Sequence, residues 1–191
     1  ALAVSGLLVS RTGGPSVKPY QPGGLWLETS NRPYVQDSGS KLYRRSLYIY
    51  WKRSVPPPNL FAIDAPTRET CTVRRQRTNT PLMALVMLND PVFVEAARKL
   101  AERALADGAG DTDAAISGMF LRATARRPDE QEMAILGDIY QQQLAIYTAN
   151  PEAAGELLAV GESPRDMSLD TATHAAPAMV ANTILNLDET I

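Results

Sequence analysis

The sequence predicts a mainly α-helical fold, with a C-terminal bundle of five to six helices after an irregular N-terminal third. From residue 80 onward, helix start signals alternate with apolar residues at spacings of three and four. Residues 11–40 are instead rich in glycine, proline and serine, which excludes a regular helix or a central strand there. With 45% hydrophobic and 21% charged residues, the 191-residue chain has an ordinary globular composition.

The N-terminal third combines loop-forming residues with aromatic ones. "RTGGPSVKPYQPGGLW" at 11–26 contains four glycines and three prolines, yet it ends on Trp26. We therefore expect a loop that packs on a core. "LYRRSLYIYWKR" at 42–53 alternates like a short strand, although a helix is also compatible with this length. "PPP" at 56–58 predicts an extended segment.

The helical region begins with two repeated start signals. Thr80 and Asp90 are good N-cap residues, and each is followed by a proline that suits the first helical position. The second helix should end at Gly108. Further helices are expected from Asp111 or Thr112, across Met133–Tyr147, from Pro151 to about Val160, and up to Leu187 after a "GESPRD" loop, with Pro177 delaying the last start.

We interpret residues 1–191 as a single domain, divided into an irregular basic and aromatic segment at 1–79 and a helical bundle at 80–191. The start "ALAVSGLLVS" lacks an initiating methionine and a charged region, so it is no signal peptide and suggests a fragment of a longer chain. No apolar run approaches the roughly 20 residues of a membrane span. No membrane span is therefore predicted.

Charge is distributed unevenly along the chain. The net charge of −2 argues against nucleic acid as a partner. Residues 41–77 nevertheless carry a net charge of +7, and residues 78–191 carry −10. Either the two segments neutralise each other on folding, or the basic one presents a face to an acidic partner.

Five motifs in order resemble a known family. They are "GGPSVKPYQPGGLW" at 13–26, "LYRRSLYIYWKR" at 42–53, "FAIDAPTRETCTVRRQRTNTPL" at 61–82, "LND" at 88–90 and "ILNLDE" at 184–189. Together they resemble the C-terminal part of the planctomycete-type domain of unknown function numbered fifteen fifty-three. The resemblance implies a module at the end of a large exported protein, periplasmic or on the cell surface. Its partners would be upstream domains of the same chain, often cytochrome c-like. The family brings no established activity.

The residues that carry metal and cofactor chemistry are scarce. One cysteine, Cys71, and one histidine, His174, exclude a C-x-x-C-H haem site and a cysteine-rich metal site. We therefore expect no cofactor, no metal and no catalytic residue in this fragment. His174 is expected at the surface or at a helix cap, Cys71 as a buried inert thiol, and the acidic residues mostly on solvated helix faces.

The helix start near residue 80 is the candidate anion site. Arginines close to free N–H groups at a helix N-terminus can bind a sulfate, phosphate or carboxylate. A structural clamp is the alternative, with Asp64, Glu69 or Asp90 as internal partners. The candidate residues are Arg74, Arg75, Arg77, Thr78, Asn79 and Thr80.

A second candidate surface is aromatic. Four side chains could stack against sugars or could pack in the core: Trp26, Tyr48, Tyr50 and Trp51. We therefore predict a non-catalytic interaction or structural module with an anion or anionic-glycan contact. The alternative is part of an enzyme acting on polysaccharide or in redox chemistry, whose catalytic residues are shared with upstream segments.

Overall fold

The computed structural model describes residues 1–29, 32–74 and 78–190, and within these ranges the chain is mainly helical with no sheet. It divides into two compact units. The helical unit comprises Ala1–Leu7 and Met87–Ile191, and the basic unit comprises Leu8–Val86. The prediction that both belong to one domain stays a prediction.

The helices are described by their bounds in chain order. They are α1 (Leu2–Ser5), α2 (Pro58–Ala62), α3 (Pro81–Asn89), α4 (Pro91–Asp107), α5 (Thr112–Thr124), α6 (Glu130–Ala149), α7 (Pro151–Leu158) and α8 (Thr171–Leu185). Six of them, α3 to α8, follow residue 80, which confirms the predicted number of C-terminal helices. Within the described residues, no helix is both long and apolar enough to cross a membrane.

The predicted helix starts are present. The Val92 N–H donates to Asp90 Oδ1 at 2.9 Å, with Pro91 at the first position of α4. The Met83 N–H donates to Thr80 Oγ1 at 3.2 Å at the start of α3. Each cap satisfies an N–H group that has no partner inside its helix. Short polar residues before a proline therefore predicted both starts correctly.

The core of the helical unit is built on α4 and α8. Helices α1, α5 and α7 pack on α4, and α5, α6 and α7 pack on α8. Large buried side chains fill the centre, each stabilising the fold by about 1.5–3 kcal/mol through burial. Among them are Leu100, Ile116, Met119, Phe120 and Ile184. The small residues between them are alanines of α4 and α8, such as Ala97, Ala101, Ala176 and Ala181.

Helix α8 begins earlier than the sequence suggested. Asp170 caps it by accepting from the Thr173 N–H at 3.2 Å, and Pro177 lies inside it, buried. The expected delay by Pro177 is therefore wrong. A proline inside a helix costs about 3 kcal/mol, and burial of apolar side chains on both sides of it, including Ala176 and Val180, offsets that cost.

The basic unit is held together largely without regular secondary structure. The segment 42–53 forms parts of two short 3₁₀ helices, Gly39–Tyr43 and Ser46–Tyr48, with isolated bridges instead of a continuous strand. Backbone hydrogen bonds of 2.8 Å join Val17 to Tyr48 and to Tyr50. Trp26 is 8% exposed, which confirms that the Gly- and Pro-rich loop packs on a core.

Arg44 organises that loop. Its buried guanidinium donates to the backbone carbonyls of Arg11, Gly13 and Pro15, at 2.8, 2.7 and 3.2 Å. Its Cζ lies 3.8 Å from the centroid of the Tyr48 ring. Because an arginine presents several N–H donors in one plane, one side chain can satisfy three carbonyls of a segment that forms no helix or sheet.

Candidate functional site

The predicted anion site at residues 74–80 is engaged in part by the protein itself. The N–H and the hydroxyl of Thr78 both donate to Asp64 Oδ2, at 2.7 and 2.6 Å. These hydrogen bonds lower the pKa of the Asp64 carboxyl. Thr80 serves as the cap of α3. Arg75 and Arg77 lie outside the described residues.

The other carboxylates considered as internal partners bind elsewhere. Glu69 forms two hydrogen bonds with the exposed guanidinium of Arg53, at 2.7 and 2.8 Å, and these hydrogen bonds raise the pKa of Arg53. Asp90 caps α4. Arg74 is exposed and forms no ion pair with the described part of the chain. An internal carboxylate therefore binds at the edge of the predicted site through Thr78, and Arg74 stays open to solvent.

The four aromatic candidates do not form one surface. Trp26 contacts Tyr34 edge-on, with ring centroids 5.1 Å apart, and Tyr50 at 5.7 Å. The ammonium groups of Lys18 and Lys52 lie 5.3 and 4.4 Å from the Trp26 ring centroid. In this cluster Trp26 is buried, Tyr34 is half-buried and Tyr50 is 42% exposed, and the two cations lie beside the indole ring in a favourable arrangement.

Tyr48 and Trp51 lie in two other places. The Tyr48 hydroxyl accepts from the Gly13 N–H at 2.9 Å, and its ring lies under Arg44. Trp51 is half-buried, and the guanidinium of Arg68 lies 4.9 Å from its ring centroid. Of the four candidates, Trp51 lines a cleft within the described residues.

That cleft, which we call the Trp51 cleft, has a volume of about 680 Å³. Among the described residues, three polar ones line it: Arg45, Ser46 and Arg68. The remaining lining residues are apolar: Leu47, Trp51, Leu60, Ile63, Ala65 and Pro66. Asp64 and Arg68 have positive φ angles of 60° and 64°. This conformation is uncommon for residues other than glycine. Ala65 and Pro66, which line the cleft, therefore lie in a turn whose first and last residues both have an unfavourable backbone conformation.

The helical unit contains a group of ionisable side chains that the sequence analysis did not bring together. This buried charge cluster consists of Glu95, Arg98, Glu102 and His174, which are 0, 1, 7 and 0% exposed. Arg98 Nη1 donates to Glu102 Oε1 at 2.9 Å, and His174 Nε2 lies 3.4 Å from the same oxygen. Buried charges are tolerated only when they are paired and hydrogen-bonded.

The cluster holds the loop between α7 and α8. The Ser163 N–H donates to Glu95 Oε1 at 2.6 Å, and Arg98 Nη2 donates to the Ser163 carbonyl and hydroxyl at 2.8 and 2.7 Å. The Lys99 ammonium binds Glu102. Gly161 passes so close to Glu95 that a Cβ there would lie 2.1 Å from the Glu95 Cδ. The cluster therefore acts as the internal support of this loop.

His174 was expected at the surface, and that expectation is wrong. Burial lowers the pKa of its imidazole, and the attraction of Glu102 opposes this shift. The expectation failed because a lone histidine near a helix start carries no information about what packs over it. A usable signal existed in α4, since Glu95, Arg98 and Glu102 follow the 3–4 spacing of one helix face, beside buried Val94 and Ala101.

Cys71 was expected to be buried, and this is also wrong. Its side chain is exposed, as are all described residues from 67 to 74. Val73 is the large apolar residue of that stretch and is itself fully exposed, so nothing drives the segment into a core. Among the residues that the structure describes, no three His, Cys, Asp or Glu side chains are grouped to hold a metal ion.

A family model described as PSD1, protein of unknown function (DUF1553), matches residues 1–140. The chain belongs to the PSD1 family. The matched residues include the whole basic unit and extend into α6, so four of the five motifs behind the resemblance fall inside the match and "ILNLDE" lies beyond it. No curated protein and no solved structure matches the chain. PSD1 membership therefore identifies the family without assigning an activity.

Proposed function

We propose that this chain is a non-catalytic interaction module at the end of a larger exported protein of the PSD1 family, and that its basic unit contacts an anion or an anionic glycan. The observation that carries the proposal is the charge of Leu8–Val86. This unit has twelve basic and four acidic residues, a net charge of +8. Such a surface attracts anionic partners over a distance of about one Debye length.

Several arginines of the basic unit are available for this contact. Arg45, Arg68 and Arg74 are exposed, and no carboxylate in the described residues pairs with them. Three of the unit's four acidic residues are already engaged, since Asp37 binds Lys41 at 2.8 Å, Glu69 binds Arg53, and Asp64 accepts hydrogen bonds from Thr78. Exposed guanidinium groups without internal partners can bind sulfate, phosphate or carboxylate groups bidentately.

A thermal melt with anions tests the proposal. The probes are a heparin fragment and inorganic phosphate, each added to the 191-residue chain at low salt. Because a ligand that binds only the native state raises its stability, the melting midpoint should rise with at least one probe. The rise should shrink on adding salt, since exposed charges are screened.

Two matched variants separate a local contact from a general effect of charge. Arg74→Gln removes an exposed cation of the basic unit and should reduce the shift, whereas Arg127→Gln removes the same charge from the helical unit and should leave it unchanged. An unchanged midpoint with both probes in the wild type would overturn the anion contact. If both variants showed the same decrease in the midpoint shift, the anion would bind by non-specific charge attraction instead of a local contact.

The alternative of a shared enzyme site leads to a different expectation. An enzyme should bring arginines together with carboxylates of raised pKa in a concave site. In the described residues, arginines line the Trp51 cleft without a carboxylate. The pKa of Asp64 is lowered instead of raised. These features support a binding role over a catalytic one.

The exported location and the upstream partners rest on the family resemblance. Cell fractionation of the natural source, followed by mass spectrometry of the full-length protein, tests both at once. Peptides of this chain should occur in the periplasmic or surface fraction, in one polypeptide with upstream domains. Recovery from the cytoplasmic fraction alone would contradict the location.

A further inference from the structure

Among the described residues, the Trp51 cleft combines apolar walls with two cations, Arg45 and Arg68, and none of these lining residues belongs to the helix start at residues 74–80. We propose that this cleft binds a small amphiphilic anion, a molecule with an aromatic or branched aliphatic body and one carboxylate or sulfonate group. The proposal concerns a second site in the basic unit and does not depend on the contact at Arg74.

The size of the cleft suits such a ligand. Pockets that bind small molecules commonly have volumes of about 300–1,000 Å³, and this one has about 680 Å³. Leu60 forms a buried part of the lining, while Leu47 is 70% exposed at the rim. A ligand with an apolar body would cover Leu47 and remove its surface from water, which is favourable.

The charge of the cleft selects an anion. Arg45 and Arg68 are both exposed, and among the described lining residues there is no aspartate or glutamate. Glu69 follows Arg68 in the chain, but Arg53 engages its carboxylate through two hydrogen bonds. In the described part of the chain, the cations of the cleft therefore have no internal carboxylate to compete with a ligand.

The position of Arg68 favours a flat anionic group. Its guanidinium lies over the Trp51 ring, with the Cζ 4.9 Å from the ring centroid. Contact with an aromatic ring uses the face of the guanidinium, whereas its N–H donors lie in its plane. These donors can form the two parallel hydrogen bonds with a carboxylate that make such pairs strong.

The lining argues against a sugar as the occupant. A neutral sugar needs several polar partners for its hydroxyl groups, and apart from the two arginines the part of the cleft that the structure describes offers Ser46 as a polar side chain. Inorganic phosphate would gain nothing from the apolar walls. An apolar body with one anionic group uses both kinds of lining residue.

An NMR titration of the 191-residue chain tests this. The chain has two tryptophans, Trp26 and Trp51, whose indole N–H signals can be assigned with a Trp51→Phe variant. The probes are phenylacetate, its neutral amide phenylacetamide, and acetate. We expect phenylacetate to shift the Trp51 signal saturably, and the amide and acetate to bind at least about tenfold more weakly, because each lacks one of the two interactions.

Variants then locate the anion. Arg68→Gln should weaken phenylacetate binding about tenfold or more, and Arg45→Gln should weaken it in the same direction. Arg74→Gln, which tests the other site, should change the affinity less than twofold. Two results with the wild type alone would overturn the proposal. One is equal affinity for phenylacetate and phenylacetamide, and the other is a phenylacetate titration that does not shift the Trp51 signal. Equal losses in Arg68→Gln and Arg74→Gln would also overturn it.

Discussion

Arg126 binds the carboxylate of Glu189 through two hydrogen bonds of 2.7 Å. The same guanidinium donates two hydrogen bonds to Glu132, at 2.7 and 2.6 Å, and stacks over Phe120 at 4.8 Å. One arginine before α6 therefore joins the first turn of that helix to the segment that follows α8. Asp129 caps α6 by accepting from the Glu132 N–H at 2.8 Å.

Loss of Arg126 should change the titration of its partners. Hydrogen bonds from Arg126 hold the pKa of Glu132 at about 2. Because this folded-state pKa is below the ordinary value, its stabilising contribution is present above about pH 4.5 and is lost as the pH falls toward 2. In Arg126→Gln, the Glu132 pKa should rise toward 4.5, as measured by carbon-detected NMR. Arg127→Gln serves as the control, and a Glu132 pKa that stays near 2 in Arg126→Gln would contradict this assignment.

His174 should make stability depend on pH in a different range. Its pKa is lowered by burial, so folding favours the neutral imidazole, and stability is full above about pH 6.5 and declines as the pH falls below it. Charged groups that act on it include Glu102, Arg98 and Arg165, and the Asp166 carboxylate also interacts with it. The decline should approach at most about 1.4 kcal/mol per pH unit.

Urea unfolding of the wild type and of His174→Gln between pH 5 and 8 measures this contribution. Because the chain contains one histidine, the difference between the two curves isolates its titration. The wild type should lose stability relative to the variant as the pH falls. Parallel curves would show that the imidazole titrates alike in the folded and unfolded states.

Gly161 should tolerate no side chain. Its φ is 89°, and a Cβ would overlap the Glu95 carboxylate at 2.1–2.5 Å. We expect Gly161→Ala to lower the free energy of unfolding by about 3 kcal/mol or more, because it displaces a buried carboxylate from the hydrogen bond that it accepts from Ser163. Gly110 has nearly the same φ, 90°, but open space around it. Gly110→Ala should therefore cost about 1–2 kcal/mol, the backbone part alone. Equal losses in urea unfolding would exclude the close contact as the cause.

Ala125 ends α5 with a φ of 62°, a conformation that favours glycine. Ala125→Gly should therefore stabilise the chain by about 1 kcal/mol. The same substitution at the exposed helical residue Ala134 should destabilise it by about 0.5–1 kcal/mol. Thermal melts of both variants show whether each substitution raises or lowers the melting midpoint. A lowered midpoint in both variants would contradict the role of the left-handed conformation at Ala125.

Arg44→Lys should loosen the basic unit although it conserves the charge. An ammonium group is compact and cannot reach the three carbonyls that the guanidinium serves, so we expect a loss of about 2–4 kcal/mol. Tryptophan fluorescence during urea unfolding reports on this unit, because Trp26 and Trp51 both lie in it. Arg11→Lys is the matched control, because the Arg11 contact to Arg44 uses its backbone carbonyl. Equal effects of the two substitutions would argue against a special role for Arg44.

The sequence predicted the helices well because their signals are local. Thr80, Asp90 and Asp111 each act on N–H groups two or three residues away, so a short window contains the cause. The same reasoning failed for His174, Glu95 and Cys71. Whether these side chains are buried depends on segments as far away as 68 residues, as the contact of Glu95 with Ser163 shows.

The candidate site was predictable only in part for the same reason. A charge excess at 41–77 could be counted, and the arginine-rich stretch could be seen. The Trp51 cleft requires Arg45, Leu60 and Arg68 to come together across residues 45–68, and no periodic pattern in the sequence predicts that contact. The aromatic candidates were grouped by their closeness in sequence, whereas the structure separates Trp26, Tyr48 and Trp51.

The loop at Gly161–Asp166 lacks regular secondary structure, so it would ordinarily be chosen as a place to insert a tag or to expect cleavage by a protease. Its backbone is nevertheless bound by side chains of α4 that water does not reach: Ser163 is held at its N–H by Glu95 and at its carbonyl by Arg98. In hydrogen exchange, the Ser163 amide should behave like one from the middle of a helix. For protein engineering, this loop is therefore a poor place to open the chain even though Glu162, Pro164 and Asp166 are exposed, and the exposed stretch around Val73 is the better place.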